Sequence, residues 1–349
     1  MDRKIIAVIF GGCSPEYEVS LQSAFSVLES LDKDRYEVIP IGITKNGDWF
    51  RYYGDNERIS DNTWFENPEK IRAVGFSQSC SDKGFLELSG GKYSSLKADL
   101  VFPVLHGKNG EDGTVQGMLE LSGMPVVGCN TLSSALCMDK ERAHRLVSTF
   151  GVSVPKSLSF DVYNRDGAVL EVSKSLKYPV FVKPVRAGSS FGITKVSGEN
   201  GLERAIAFAF EYDCNIIVEE AVEGFEVGCA IMGIGNDLTI GRVDEIELSD
   251  GFFNYEEKYT LKSSKIHMPA RIDTLTENRI QETSAVIYRA LGCSGFARVD
   301  MFLTPSGKIV FNEVNTIPGF TSHSRYPNMM KGIGLSFAEM LDRLIGLYI

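Results

Sequence analysis

Residues 295–325, GFARVDMFLTPSGKIVFNEVNTIPGFTSHSR, limit the possible folds more than any other stretch of the chain. Two runs of strand formers, 296–303 and 308–315, flank Thr304-Pro305-Ser306-Gly307, whose proline and glycine are turn chemistry. They predict a β-hairpin followed by an irregular loop rich in Gly, Pro and Ser. If Leu303 pairs with Lys308, Arg298 lies opposite Glu313 and Asp300 opposite Phe311. Strand side chains repeat with a period of two, so Arg298, Asp300, Glu313 and Asn315 share one face. Three oxygen-bearing side chains and a guanidinium are costly to bury unless they are paired. The face is either a solvated salt-bridge surface or a set of oxygen donors around a metal-bound phosphate. This stretch alone leaves both readings open.

The chain before it opens as an α/β protein. Residues 4–10 are a continuous apolar run closing on Gly11-Gly12, as in a buried parallel strand. Residues 19–31 carry Ala24, Val27, Leu28 and Leu31 at helical spacing, and 36–43 form a second strand. Strand, helix and strand predict a right-handed βαβ unit, with a ligand loop at the carboxyl end of its first strand. GGxS is not the GxGxxG fingerprint, so dinucleotide binding has weak support. Residues 44–97 mix short aromatic pieces with polar residues and show no period, so they read as an irregular insertion. Strand 100–105 ends in His106-Gly107-Lys108-Asn109-Gly110-Glu111-Asp112-Gly113. That sequence suits a ligand loop, with a surface turn as the alternative. A helix at 115–121 and a short strand at 125–127 follow. Thr131 could cap the next helix, and 138–150 is helical up to Gly151.

Further on, strand 179–184 carries Lys183, and 185–192 is a Gly/Ser loop leading to strand 193–196. Backbone N–H groups and hydroxyls there could surround a triphosphate, since glycine allows close approach. The GK[ST] ending of a Walker A loop is missing. A helix at 202–212 precedes strand 215–220, which ends in Glu219 and Glu220. Strands 227–233 and 238–246 lead into 249–270, a loop with no clear period and the length of a lid. Helices at 276–291 and 335–347 flank the hairpin. Boundaries fall near 130 and at 222–226, so we expect an N-terminal unit (1–130), a central unit (131–223) and a C-terminal unit (224–349) containing the lid.

Composition narrows the class. A chain of 349 residues is too long for one simple core. The net charge of −10 with no basic tract argues against nucleic acid as a partner. Seven cysteines with no CxxC pair suggest reduced thiols and no zinc site. The early apolar run at 5–10 is too short for a signal segment or a membrane span. A cytoplasmic protein with no membrane partner is the expectation.

The order of these pieces resembles the ATP-grasp carboxylate–amine ligases, and within them the D-alanine–D-alanine ligase family. The resemblance covers nearly the whole chain. It rests on FGGCSPEYEVS (10–20), PVLHGKNGEDGTVQG (103–117), MDK (138–140), VKPVRAGSSFG (182–192), YEEKY (255–259), ARVD (297–300) and NEVNTIPGFTSHS (312–324). It implies an α/β fold in which a Rossmann-like open sheet domain precedes a two-part ATP-grasp fold. The activity it implies is ligation driven by ATP: one D-alanine carboxylate takes the γ-phosphate, and the amine of a second amino acid attacks the acyl phosphate.

The resemblance also assigns residues. Asp300, Glu313 and Asn315 match the ligands of two magnesium ions, for which manganese can substitute. Lys140 and Lys183 match the nucleotide-phosphate lysines, and Lys258 the γ-phosphate lysine of the lid. Ser190 and Asn312 match further nucleotide contacts. Glu219, Glu220 and Val222 match the strand that meets adenine, and Glu226 the ribose carboxylate. Glu16, hydrogen-bonded with Ser189 and Tyr259, matches the partner of the first D-alanine ammonium. Its alternative role is a charge at a helix N-terminus. His106 and Glu111 match positions near that substrate. Arg298 and the Gly319 N–H match the oxyanion site, and Ser324 the residue holding the second carboxylate. Family members are commonly dimers, which implies a homodimer.

Arg325 departs from the common pattern of Leu or Met. The D-alanine–D-serine ligases of vancomycin resistance, in particular the VanG type, are similar to this chain in having arginine there. Guanidinium donors at that pocket would favour a hydroxymethyl over a methyl group. The alternative is that Arg325 points to a carboxylate in an ordinary D-alanine–D-alanine ligase. D-lactate ligases replace the lid tyrosine with histidine. This chain keeps Tyr259, although His267 lies in the same loop, so D-lactate is disfavoured.

Overall fold

The computed structural model describes residues 3–82, 84–189, 191–248 and 264–349. Ser190, Lys258 and Tyr259 lie outside the described residues. Among those described, no helix is long and apolar enough to cross a membrane.

Three sheets carry the chain. In the first, β1 (Lys4–Gly11) leads through α1 (Tyr17–Ser30) to β2 (Tyr36–Ile43), which pairs with it in parallel. The last six residues of β1 are buried, as expected of an apolar strand inside an α/β sheet. Residues 44–97 are not the irregular insertion expected. They contain β3 (Trp49–Tyr52), α2 (Glu57–Ser60), β4 (Ile71–Ser77), β5 (Gly84–Ser89) and β6 (Lys92–Lys97), an antiparallel meander running out from β2. β7 (Leu100–Val104) then pairs with the other side of β1, giving the order β6-β5-β4-β3-β2-β1-β7. The meander lacks a hydrophobic alternation because few of its residues are buried: Tyr52 alone in β3 and Leu96 alone in β6. Its anchor is the buried Trp64, whose ring meets Phe10 at 5.1 Å and Tyr52 at 6.1 Å.

After α3 (Thr114–Leu121), two helices stand where one was expected, α4 (Thr131–Met138) and α5 (Lys140–Thr149). Asp139 separates them in extended conformation and accepts the Arg142 N–H as the cap of α5. Asn130 rather than Thr131 caps α4, accepting the Ser133 N–H. The second sheet is antiparallel, in the order β10-β9-β11-β8, from β8 (Ser157–Asp161), β9 (Val180–Pro184), β10 (Thr194–Val196) and β11 (Asn215–Glu220). Helices α6 (Ala168–Ser175) and α7 (Leu202–Phe210) share its core; β8 and α6 are additions to the sequence reading.

The third sheet comprises β12 (Phe225–Ile234), β13 (Asp237–Leu248), β14 (Ser264–His267), β15 (Gly295–Leu303) and β16 (Ile309–Asn315), in the order β14-β13-β12-β15-β16. The end of the expected 249–270 loop is thus a strand, β14, paired antiparallel with β13. α8 (Thr274–Ala290) packs on this sheet. α9 (Arg325–Lys331), absent from the sequence reading, and α10 (Phe337–Gly346) join the core of the first sheet.

The hairpin forms in a different register from the one expected. Leu303 faces Ile309, and a bulge follows: Met301 faces Phe311, Asp300 faces Glu313 and Arg298 faces Asn315, which leaves Asn312 as the extra residue. A one-residue slip turns every side chain to the opposite face, and a bulge reverses it. Without the bulge, Asp300 would oppose Asn312, and Glu313 and Asn315 would face away. With it, Arg298, Asp300, Glu313 and Asn315 share one face.

Candidate active site

A cleft of about 590 Å³ opens between the loops after β1 and β7, the flap after β9 and the β16–α9 connection. Glu16, His106, Glu111, Lys140, Ser189, Arg298, Glu313, Asn315, Gly319, Ser324 and Arg325 all line it. Asp300 is 1% exposed, directly behind Glu313 and Asn315 on the hairpin. Lys183, Glu219, Glu220, Val222, Glu226 and Asn312 are outside the cleft lining.

Glu16 immediately precedes α1, yet its carboxylate does not cap the helix. It accepts the Ser189 hydroxyl instead and lies against Gly107 and Gly188. A Cβ at Gly107, where φ is +70°, would collide with a Glu16 oxygen, so glycine is what admits the carboxylate. Ser189 holds a φ of 48°, a left-handed conformation that non-glycine residues rarely adopt outside functional loops.

His106 and Glu111 line the same cleft, but their polar atoms are already engaged within the protein. His106 donates Nδ1–H to the Ile317 carbonyl at 2.8 Å. Its Nε2 is therefore an acceptor, facing the Ser23 hydroxyl at 3.0 Å. Ser23 Oγ in turn accepts the Phe320 N–H at 3.2 Å. Glu111 accepts the Gly107 N–H at 2.9 Å and the Ile317 N–H at 3.3 Å. The N-terminal loops thus hold the chain on both sides of Gly319. Sequence reasoning missed Ser23. Its signal is a pair of serines, Ser20 and Ser23, three apart on the apolar stripe of α1 and both 0% exposed.

Burial lowers the tendency of His106 to protonate. Burial, with the Glu16 charge second, pushes Glu111 up to about 8. Between the ordinary 4.5 and about 8, the folded state therefore keeps a proton that the unfolded state has lost. That stabilisation is complete below 4.5 and disappears as pH rises through about 8. The thermal midpoint is expected to fall across this window, and to fall less steeply in Glu111→Gln, whose side chain stays neutral. Equal slopes in melts of the two proteins would show that Glu111 ionises normally.

Lys140 donates to the Ala187 carbonyl at 2.9 Å and lies 3.3 Å from Glu313. Lys183 donates to Glu219 at 2.6 Å, and both are buried. Burial opposes the Glu219 charge, but Lys183, His144 and Lys140 together hold its carboxyl below the usual range. Glu220 turns to the Lys177 N–H at 3.0 Å and to Lys156 at 3.6 Å.

Asp300 accepts two hydrogen bonds from Arg298 Nε and Nη2, at 2.8 and 2.7 Å, and one from Asn315 Nδ2 at 2.8 Å. Among the described residues, no group of three or more His, Cys, Asp or Glu could hold a metal. Two carboxylates and an amide are too few for a closed calcium or zinc cage. They fit magnesium, which keeps waters and is commonly held by one or two carboxylates together with substrate phosphates. The nearby Lys140 and Arg298 are cations of the kind that suit those phosphates.

Arg325 opens α9, but its nitrogens are not spare donors facing a substrate hydroxyl. Nε and Nη2 grip Asp244 in a bidentate pair at 2.7 Å each. Nη1 reaches Glu226 at 3.1 Å and Asp300 at 3.5 Å. Gly228 permits this convergence, since a Cβ there would collide with the guanidinium and stand 2.7 Å from Asp244. Asp244, 0% exposed at the centre of β13, is the second residue the sequence reading missed. Its neighbours Glu245 and Glu247 are acidic too, so nothing in the local sequence of β13 marked Asp244 out.

Comparison with known proteins agrees with this architecture. The family models described as D-ala D-ala ligase N-terminus and C-terminus match residues 5–129 and 146–346. The crystal structure of the VanG D-Ala:D-Ser ligase from Enterococcus faecalis superposes with a TM-score of 0.94 and 66% identity over 100% of both chains. The vancomycin C-type resistance protein VanC1 of Enterococcus gallinarum is 45% identical over 99% of this chain and 98% of that protein. The D-alanine-D-alanine ligase from Coxiella burnetii is 31% identical, with a TM-score of 0.86 over 99% of this chain and 94% of its own. Sequence, fold and cleft therefore lead to one conclusion: the chain belongs to the D-alanine–D-alanine ligase family of ATP-dependent, ATP-grasp ligases.

Proposed function

We propose that this enzyme joins D-alanine to D-serine at the expense of ATP, making a peptidoglycan-precursor terminus of the kind linked to vancomycin resistance. The observation that carries the reading is the 66% identity, over both full lengths, to a D-Ala:D-Ser ligase. The arginine that follows Ser324 adds to it. In this scheme the first D-alanine ammonium sits on Glu16, whose carboxylate is oriented by Ser189. The D-alanine carboxylate attacks the γ-phosphate of ATP, and ADP departs. The D-serine amine attacks the resulting acyl phosphate, and phosphate leaves. Arg298 and the Gly319 N–H receive the charge that develops on the acyl oxygen. Asp300, Glu313 and Asn315 would hold two magnesium ions, which neutralise charge on the transferring phosphate. Lys140 and Lys183 hold the nucleotide phosphates, Glu219 to Val222 the base and Glu226 the ribose.

A second reading, a D-alanine–D-alanine ligase, is favoured by one observation. The Arg325 guanidinium is already engaged by Asp244, Glu226 and Asp300. One assay separates the two. The enzyme is supplied with ATP, magnesium and D-alanine at neutral pH, with and without excess D-serine, and the dipeptides are identified by mass. D-Ala-D-Ser is expected to dominate whenever D-serine is present. D-Ala-D-Ala dominating in excess D-serine would end the first reading and support the second.

A further inference from the structure

The bulge at Asn312 decides whether Glu313 and Asn315 face Asp300, yet an extra residue in a strand leaves a backbone group without its ladder partner. The Asn312 carbonyl finds one outside the sheet. His144, on α5, donates Nε2–H to it at 2.7 Å. A carbonyl can only accept, so this bond fixes Nε2 as the protonated nitrogen. The imidazole is 3% exposed and packs edge-on against the Phe311 ring at 5.3 Å, so the residue preceding the bulge is braced as well. Nδ1 stands 3.4 Å from Glu219 Oε1, and neither atom has a hydrogen-bond partner among the described residues. The imidazole is therefore fastened to β16 and only adjacent to the Lys183–Glu219 pair.

We propose that His144 is a positioning residue for the metal-binding face: its hydrogen bond to the Asn312 carbonyl holds the bulge that brings Glu313 and Asn315 round to Asp300. This rests on the reading of Asp300, Glu313 and Asn315 as the metal ligands. Residues that orient metal ligands typically change metal affinity by roughly 10–100-fold when removed.

The test measures manganese binding by electron paramagnetic resonance, in the presence of saturating ADP, for the wild type, His144→Leu and His144→Gln. His144→Leu is expected to weaken manganese binding by about tenfold or more. His144→Gln, whose amide can still donate to the carbonyl, should recover most of the loss. ADP affinity without metal, measured by calorimetry, should change by no more than about threefold, because Nδ1 makes no hydrogen bond to Glu219. If His144→Leu does not fold, the comparison rests on His144→Gln against His144→Asn, whose shorter amide falls short of the carbonyl. Wild-type manganese affinity in His144→Leu or in His144→Asn overturns the proposal, as does a glutamine variant no better than leucine. If the wild-type protein binds no manganese with ADP, the reading of the metal face fails instead, and the two failures are distinguishable.

Discussion

Replacing Arg325 with methionine, the residue type common at this position in the family, is expected to destabilise the protein by about 3–5 kcal/mol. That is the usual cost of removing one partner from a buried ion pair. The loss arises because Asp244 and Asp300 are 0% and 1% exposed, and Arg325 supplies the bidentate partner of the first. The cation is buried too, with its side chain 9% exposed, so solvent screening does not reduce the effect much. Urea denaturation of Arg325→Met measures it directly. The double variant Arg325→Met with Asp244→Asn should recover a large part of the loss, since it removes the stranded charge. A methionine variant that unfolds like wild type while changing its product would return Arg325 to the substrate pocket. It would also mean that the Asp244 pair contributes little.

The second large effect is expected at Glu313. Glu313→Ala should lower kcat for ligation by roughly 10³-fold, the scale seen when one group stabilising transition-state charge is lost. Glu313 faces Asp300 across the hairpin and is 3.3 Å from Lys140. On the proposed reading, its removal takes one of two carboxylates from the metal face and leaves Lys140 without the carboxylate beside it. Steady-state rates at saturating ATP and increasing magnesium check this. Unimpaired turnover would move the metal face elsewhere.

Much of the fold was legible in the chain, for reasons visible in particular residues. The run from Lys4 to Phe10 has few stable homes other than a buried parallel strand. The turn at 304–307 has Pro and Gly where a hairpin needs them. The 44–97 meander was hidden because it is half-exposed and its few buried side chains, Tyr52, Phe85 and Leu96 among them, are split between two cores, one of them closed by Trp64 from a loop. β14 and α9 were missed because one is four residues long and the other seven, too short for a period to stand out.

The candidate site divides the same way. The order of motifs along the chain, through the resemblance it carries, already grouped Glu16, Ser189, the loop after β7 and the hairpin face, and these line one cleft. Alternation alone also put Arg298 and Asp300 on one side of a strand. The expectation that Glu313 and Asn315 share that face holds, but by another route: only the tertiary structure decided that the strands pair one residue away from the expected register and that an added residue at Asn312 turns the two back, and sequence period cannot register a bulge. Only the tertiary structure decided the partners of Arg325, His106 and His144. Those partners are a carboxylate in β13, a carbonyl beyond β16 and the carbonyl of the bulge itself. The reason is physical. Local pattern reports which face a residue occupies, whereas a buried charge or imidazole is satisfied by groups far along the chain that only folding brings within 3 Å.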